Sequence, residues 1–333
     1  MGGGEARRRG VVTAAGPLSG LLVADFSRVL AGPLATMILG DLGADVVKVE
    51  RPGSGDDTRA WGPPYAPDGQ SSYYLSVNRN KRSMALDLGS PDGREVARRL
   101  AIEADVLVEN FKQGTMERFG LGYEELRVGN PGLVYARIGG FGSGRGADLP
   151  GYDFLAQAMS GLMSITGEPD GSPQKTGVAI VDVMAGLNVS IGVLAALVER
   201  SSTGLGQRVE VDLLSTGLAG LVNQASSYLT AGVVPGRLGN LHPSIAPYEP
   251  FETATEPLVV AVGNDGQFRA LCEVLEVPEV ATDRRWATNP ARVEHRHQLH
   301  ARLEEALRSR SRDEWVGALR GRGVPCGPIN TID

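Results

Sequence analysis

An α/β fold, with a parallel sheet in the first two thirds of the chain and a smaller α/β unit after it, is what this sequence predicts. Three observations carry that expectation. From about residue 20, short apolar strand segments alternate with helix-period segments, the order that lays parallel strands beneath crossover helices. A Gly- and Pro-rich stretch at 232–250 then precedes a second, shorter strand-and-helix run. The 333 residues suffice for one large or two ordinary domains, and 42% apolar with 22% charged residues describes a globular chain rather than a disordered one.

The elements follow in order. LLVADF (21–26) reads as the first strand, and PLATMILGDLGA (33–44) as a helix with Pro33 in its first turn, where a missing N–H costs little. DVVKVE (45–50) and SMALDL (83–88) are strands, and a helix opens at Pro91 and runs to Glu103. DVLVENF (105–111) and LVYARIGGF (133–141) are further strands. GYDFLAQAMSG (151–161) is helical, GEPDGSPQ (167–174) is a turn, and a long helix follows Asp182 to about Ser201. RVEVDLL (208–214) is a strand that leads into a helix ending near Ala231. Beyond the linker come PLVVAVG (257–263), a helix at 264–275, and charged helices at 292–310 and 312–322. The expected organisation is a disordered tail (1–16), a large domain (17–231), a linker (232–250) and a small domain (251–333).

Composition excludes several classes. A net charge of −6 lacks the basic surplus of a general nucleic-acid binder. Cys272 and Cys326 cannot supply a disulfide framework and suit a reducing cytosol. The most apolar stretch, 183–198, is interrupted by Gly186, Asn188, Ser190 and Gly192 and reads as a buried core helix rather than a membrane span. The start is basic with no apolar stretch behind it, unlike a secretory signal, and MGGGEA lacks the Ser or Thr of a myristoylation motif. A cytoplasmic protein without membrane or nucleic-acid partners is expected.

Asp182 is the sharpest local feature, the only charged residue between Lys175 and Glu199. It suits a helix N-cap, since its oxygen accepts orphan backbone N–H groups. It also suits a dehydrated carboxylate nucleophile, kept ionised by helix-terminal amides that oppose the effect of burial, although the cap is the commoner role for such a residue. The two readings are compatible. GFGSGRGA (140–147) matches G-x-G-x-x-A at Gly142, Gly144 and Ala147, but Asp148, Leu149 and Pro150 follow where a dinucleotide fingerprint must open a helix. His295, His297 and His300 form H-x-H-x-x-H among Arg and Glu residues, a solvated face rather than a metal site. No hydrolase elbow, Walker loop or C-x-x-C is present. Basic residues sit in turns: Arg51, Lys81 and Arg82, Lys112 and Arg118. Such turns at the carboxyl ends of strands suit a phosphate-bearing ligand.

Together, 31–59 (AGPLATMILGDLGADVVKVERPGSGDDTR), NKRSMALDL (80–88), DVLVENF, GYDFLAQAMSG, the Asp182 segment and GVPCGPIN (323–330) resemble, in order, the family III CoA-transferases of the CaiB/BaiF and formyl-CoA transferase type. The resemblance spans about 17–333. It implies a Rossmann-like large domain plus a small domain, with two chains interlocked as rings in a homodimer. It implies acyl-CoA and carboxylic acid substrates, with coenzyme A as a substrate and no permanently bound cofactor or metal. Asp182 matches the aspartate that forms acyl-anhydride and thioester intermediates, and Tyr152 an active-site tyrosine. Val29, Ala31, Arg51, Leu86, Asn110, Phe111 and Arg118 match positions that line the CoA site. Leu30 stands in place of an active-site glutamine, and 232–248 lacks a tetraglycine loop; both argue against formate and oxalate. Family chains continue past the PCGP motif, whereas this sequence stops at Asp333, so a C-terminal return to the large domain is expected to be missing.

The alternatives are an α-methylacyl-CoA racemase and an inactive CoA-binding relative. A racemase needs acid–base groups on both sides of the α-carbon. A histidine serves there in the racemases, where this chain has Tyr152, a poor base at a reference pKa of about 10.

Overall fold

The computed structural model describes residues 16–333, so the expected tail lies outside the described residues except for Gly16. Contacts divide the chain into two units. The first comprises 16–164 with 175–235, and the second 165–174 with 236–333.

The first unit holds strands β1 (Leu22–Asp25), β2 (Asp45–Glu50), β3 (Lys81–Ala85), β4 (Val106–Glu109), β5 (Val134–Gly139) and β6 (Arg208–Asp212). All neighbours pair in parallel, in the order β3-β2-β1-β4-β5-β6. Its helices are α1 (Ala31–Asp41), α2 (Ser72–Ser76), α3 (Pro91–Glu103), α4 (Thr115–Arg118), α5 (Tyr123–Gly129), α6 (Asp153–Ser160), α7 (Ile180–Thr203), α8 (Leu213–Gly220) and α9 (Val222–Ala231). Helices cover both faces of the sheet, which is why β4 is buried at every residue. Val106 and Val108 face α1 and α7, while Leu107 faces the side of α3 and α5, the alternation that a strand imposes.

The α1–α7 contact is close. A Cβ on Gly186 would come within 2.7 Å of the Ala31 carbonyl oxygen, so only glycine lets the two helices approach this far. Among the described helices, α7 is long and apolar enough to cross a membrane by length and composition. The expectation of a buried core helix holds for one face only. Val181, Ala185, Val189 and Val193 are buried, whereas Leu187, Ile191 and Val198 are exposed.

Several boundaries differ from expectation: the strand expected at 83–88 lies at Lys81–Ala85, the helix expected at 292–310 is divided into Asn289–Glu294 and Arg296–Leu307, and two further differences have clear physical reasons. The long helix begins at Ile180, so Asp182 lies inside its first turn rather than ahead of it. The helix expected to end near Ala231 is broken into α8 and α9 at Val222, whose φ of +40° is outside the helical range.

The second unit has strands β7 (Tyr248–Phe251), β8 (Leu258–Ala261) and β9 (Cys326–Pro328), antiparallel in that order. Around them lie α10 (Asp265–Val274), α11 (Pro278–Thr282), α12 (Asn289–Glu294), α13 (Arg296–Leu307) and α14 (Arg312–Gly321). Phe251, Phe268, Leu271, Trp315 and Leu319 form its core. The strand β7 begins within the stretch read as a linker, and Arg237 ties 165–174 to this unit by donating to the carbonyls of Glu168, Pro169 and Gly171. His300 is committed to Glu249 at 2.8 Å and Glu304 at 3.1 Å. Among the described residues no group of three or more His, Cys, Asp or Glu is arranged to hold a metal ion.

Candidate active site

The strand order reverses between β1 and β4, and open α/β sheets bind ligands in the crevice beyond the carboxyl ends of such strands. The loops after β1 and β4 meet there. The Arg28 amide donates to Asn110 Oδ1 (2.8 Å), and Asn110 Nδ2 donates back to the Arg28 carbonyl (2.7 Å). The next residue, Val29, has φ +69°, a left-handed conformation that a β-branched residue adopts only when its surroundings impose it. Its amide faces the Asp56 carboxylate at 3.3–3.4 Å.

Buried charges support this loop. Lys48 donates to the Ser27 carbonyl (2.8 Å) and pairs with Asp56 (3.0 Å). Lys81 pairs with Asp25 at 3.0 Å. Burial alone would raise the Asp25 carboxyl, but Lys81, Lys48 and the hydroxyls of Ser27 and Thr36 hold it down to about 2. Lys81, read from sequence as a ligand-facing cation, is therefore a structural one, and Arg82 pairs with Asp45 at the surface.

Two cavities open on this crevice and share Arg28 and Phe111. One, of about 280 Å³, is lined by Arg51, Leu86, Leu88, Phe111 and Phe119, with Lys48 and Asp56 at its wall. The other, of about 370 Å³, is lined by Val29, Leu30, Ala31, Asn110, Phe111, Arg137, Tyr152 and Asp182. The residues singled out from sequence thus fall into two groups: Arg51 and Leu86 in the first cavity; Val29, Ala31, Asn110, Tyr152 and Asp182 in the second; Phe111 between them. Arg118 lines neither. It is exposed in α4 and donates to Thr115, which lines the first cavity.

The glycine-rich loop 140–151 forms one side of the second cavity. Its ends pinch together: a Cβ on Gly140 would lie 2.6 Å from Gly151 Cα. No helix opens until Asp153, so Gly142, Gly144 and Ala147 lack the geometry of a dinucleotide fingerprint.

Asp182 is the third residue of α7, whose N-cap is Ala179. The expectation that it caps the helix is corrected here. Asp153, the first residue of α6, does so instead: its Oδ1 accepts from the amides of Val181 (2.8 Å) and Asp182 (3.1 Å). Among the described residues no donor reaches the Asp182 carboxylate. The expectation that helix-terminal amides hold Asp182 ionised is corrected for the same reason. Burial first, and the charge of Asp153 second, push its pKa up to about 7. Tyr73 belongs to the same electrostatic neighbourhood. Burial, followed by the charges of Asp182, Asp153 and Asp56, raises its phenol to about 12, so it stays protonated.

Arg28, Tyr73 and Asp153 are the site residues that sequence reasoning missed. Asp153 carries a signal, an acidic residue at a helix start, but that signal points to its own helix and not to α7.

Known proteins share this sequence and fold. The sequence matches CoA-transferase family III over residues 18–333. It is 49% identical over 324 residues to a succinate–glutarate CoA-transferase of Agrobacterium fabrum, covering 95% of this chain and 81% of that protein. It is 43% identical over 316 residues to an acetyl-CoA:oxalate CoA-transferase of Acetobacter aceti, covering 94% and 81%. The crystal structure of a CAIB/BAIF family protein from Brucella suis superposes with a TM-score of 0.85 at 47% identity, covering 96% of this chain and 85% of that one.

Proposed function

This chain belongs to CoA-transferase family III, and from that premise we propose that Asp182 is its nucleophile and that its acids are dicarboxylates. The protein is an enzyme that transfers CoA from an acyl-CoA to a carboxylic acid. The α/β fold, with a parallel core sheet and a smaller α/β unit, is that of its solved relatives.

The observation that carries the Asp182 reading is its setting: a half-buried carboxylate that no donor among the described residues reaches, lining a cavity beside Tyr152. A carboxylate stripped of donors keeps its electron pairs for attack. Ionised Asp182 adds through Oδ to the thioester carbonyl carbon, the C–S bond breaks, and CoA leaves as the thiolate. The thiolate then attacks the aspartyl carbonyl of the anhydride, releasing the donor acid and leaving an aspartyl–CoA thioester. The acceptor carboxylate attacks that thioester in turn, giving a second anhydride and free thiolate, and the thiolate attacks the acceptor's carbonyl, forming the new acyl-CoA and releasing the Asp182 carboxylate. Protons balance throughout, because each carboxylate consumed is matched by one released.

The cavity containing Arg51 suits the phosphate-bearing end of CoA. Among the described residues Arg51 has no carboxylate partner, and apolar Leu86, Leu88 and Phe119 line the remaining wall for a flat base. Phe111, beneath Arg28 at 5.3 Å, and the Asn110 clamp lie between that cavity and Asp182, where the pantetheine arm must pass. The large unit is accordingly the CoA-binding domain.

Two observations favour dicarboxylates. Arg28, Lys112 and Arg137 all line the Asp182 cavity. The first two hold exposed ion pairs with Asp57 and Asp148, which an incoming carboxylate can replace at little cost. The relatives named above are a succinate–glutarate and an acetyl-CoA:oxalate CoA-transferase, so each takes at least one dicarboxylate. A homodimer is part of the same proposal. The helix α9 has no buried residue yet exposes Val222, Tyr228 and Leu229, and α7 exposes Leu187 and Ile191 on the same unit. A second copy of the chain is the partner that would cover that apolar surface.

The test is an acceptor screen read by mass spectrometry, with succinyl-CoA as donor and glutarate, oxalate, formate and acetate as acids. Glutaryl-CoA formation well above formyl- and acetyl-CoA supports the dicarboxylate reading, a preference for monocarboxylates overturns it, and oxalyl-CoA formation would overturn the expectation drawn from Leu30. A stable monomer in sedimentation contradicts the dimer.

A further inference from the structure

The start of α7 is built unlike an ordinary helix start. Its own N-cap, Ala179, offers no side-chain acceptor, and the cap comes from Asp153 on α6. Asp153 is itself fixed, because its Oδ2 accepts from Gln157 Nε2 at 2.6 Å. Gln157 Oε1 accepts in turn from the Thr176 amide at 3.0 Å. The chain from Thr176 to Asp182 is thereby held at both ends by one face of α6. Tyr152, which precedes Asp153, stands at the cavity lip, so α6 registers Tyr152 and Asp182 together.

We propose that Asp153 is a positioning residue for the nucleophile: by capping α7 from the neighbouring helix it seats Asp182, and by taking those amides itself it leaves the Asp182 carboxylate without donors and beside a second negative charge. The proposal rests on the reading of Asp182 as the nucleophile.

An N-terminal carboxylate in a helix ordinarily finds backbone N–H donors, which stabilise its ionised form and blunt it as a nucleophile. Asp153 occupies the amides of Val181 and of Asp182 itself. The surrounding charges reinforce the arrangement. From α6, Asp153 faces Asp182 and raises its pKa; from α2, Tyr73 stays protonated. The cations of the cavity are already engaged: Arg28 by Asp57, Lys112 by Asp148, and Arg137 by Glu109 and Glu210. The result is a basic carboxylate that ionises only near neutrality.

The decisive variant is Asp153→Asn. Its Oδ1 still accepts from the two α7 amides, so the cap survives while the charge is lost. Because the Asn amide would then face Gln157 Nε2, the companion D153N/Q157E restores the donor–acceptor match and moves the charge one turn along α6. For each, log(kcat/KM) is measured against pH with the acyl-CoA and acid on which the wild type is active, together with thermal melting and hydroxylamine trapping at Asp182. The acid limb is expected to move down from about pH 7 by roughly one unit. The variants then retain severalfold more of their maximal rate at pH 6 than the wild type does, while the plateau falls severalfold as the carboxylate becomes less basic. An acid limb that stays in place in a folded variant, with the hydroxamate still forming at Asp182, overturns the role of Asp153. If Asp153→Asn does not fold, D153N/Q157E decides by the same criterion. Absence of a hydroxamate at Asp182 in active wild-type enzyme overturns the nucleophile reading instead, and the role of Asp153 falls with it.

Discussion

Asp182 and Glu314 occupy the same position in two helices, the third residue after the N-cap, and they behave in opposite ways. In α14, Ser311 is its own helix's cap and Glu314 folds back to the Ser311 amide (2.9 Å) and hydroxyl (2.6 Å), closing a capping box. Those bonds lower the Glu314 pKa in an exposed setting. In α7 the N-cap is an alanine, the cap is borrowed from another helix, and burial drives Asp182 up to about 7. Position in a helix therefore does not decide how a carboxylate ionises. What decides is who supplies the cap, and whether water reaches the group.

The largest expected effect is on turnover. Asp182→Asn keeps the helix but cannot form the anhydride, so steady-state assay should find a loss of at least about a thousandfold. Glu314→Gln, the matching change in α14, should leave turnover within about twofold, as a distant exposed group does. Equal effects of the two substitutions would erase the functional contrast.

The next effect is on pH. Asp182 reacts ionised, so kcat/KM should fall about tenfold per unit below pH 7 and level off above it. A limb near the ordinary carboxylate value would show that Asp182 is not held basic in the working enzyme.

Stability should respond with the sign that the raised pKa requires. The folded protein keeps the Asp182 proton between the unfolded value, 3.8, and about 7, while the unfolded chain releases it. This group's contribution is therefore most favourable at low pH and is lost as pH rises through that window. Asp182→Asn removes the loss, and its Tm at pH 8 should exceed the wild type's by several degrees, with the gap narrowing steadily below pH 7 and closing only near pH 4. A Tm gap independent of pH would contradict the assignment.

The smallest effect belongs to the ordinary cap. Ser311→Ala should cost about 1 kcal/mol in denaturant unfolding and leave kcat/KM unchanged. Its counterpart in α7 is Asp153, whose loss should move both.

Much of this was legible in the sequence, and the reason is locality. The strand at 45–50 and the helix from Pro91 to Glu103 match their expected bounds, because apolar period and Pro placement are properties of adjacent residues. Asp182 stood out because its flanks carry no other charge. The family resemblance gathered Val29, Asn110, Phe111 and Tyr152, which line one cavity with it. What stayed hidden was long-range. The Asp153 cap joins residues 28 and 29 positions apart, and the Asn110 clamp on Arg28 spans 82. Tyr73 reaches the Asp182 neighbourhood only through the packing of α2. Lys81 read as a ligand-facing cation until the fold buried it against Asp25. Periodicity places elements, but the partners of a buried charge appear only when the elements meet.

The most direct measurement of the central claim is covalent. Enzyme incubated with succinyl-CoA and then hydroxylamine should carry a hydroxamate on Asp182, because hydroxylamine intercepts the activated aspartyl carbonyl of the anhydride or thioester. Peptide mass spectrometry should find the modification on the peptide containing Asp182, dependent on the acyl-CoA and absent from Asp182→Asn. An unmodified Asp182 in enzyme that turns over under the same conditions, or a hydroxamate on another carboxylate, would contradict the account.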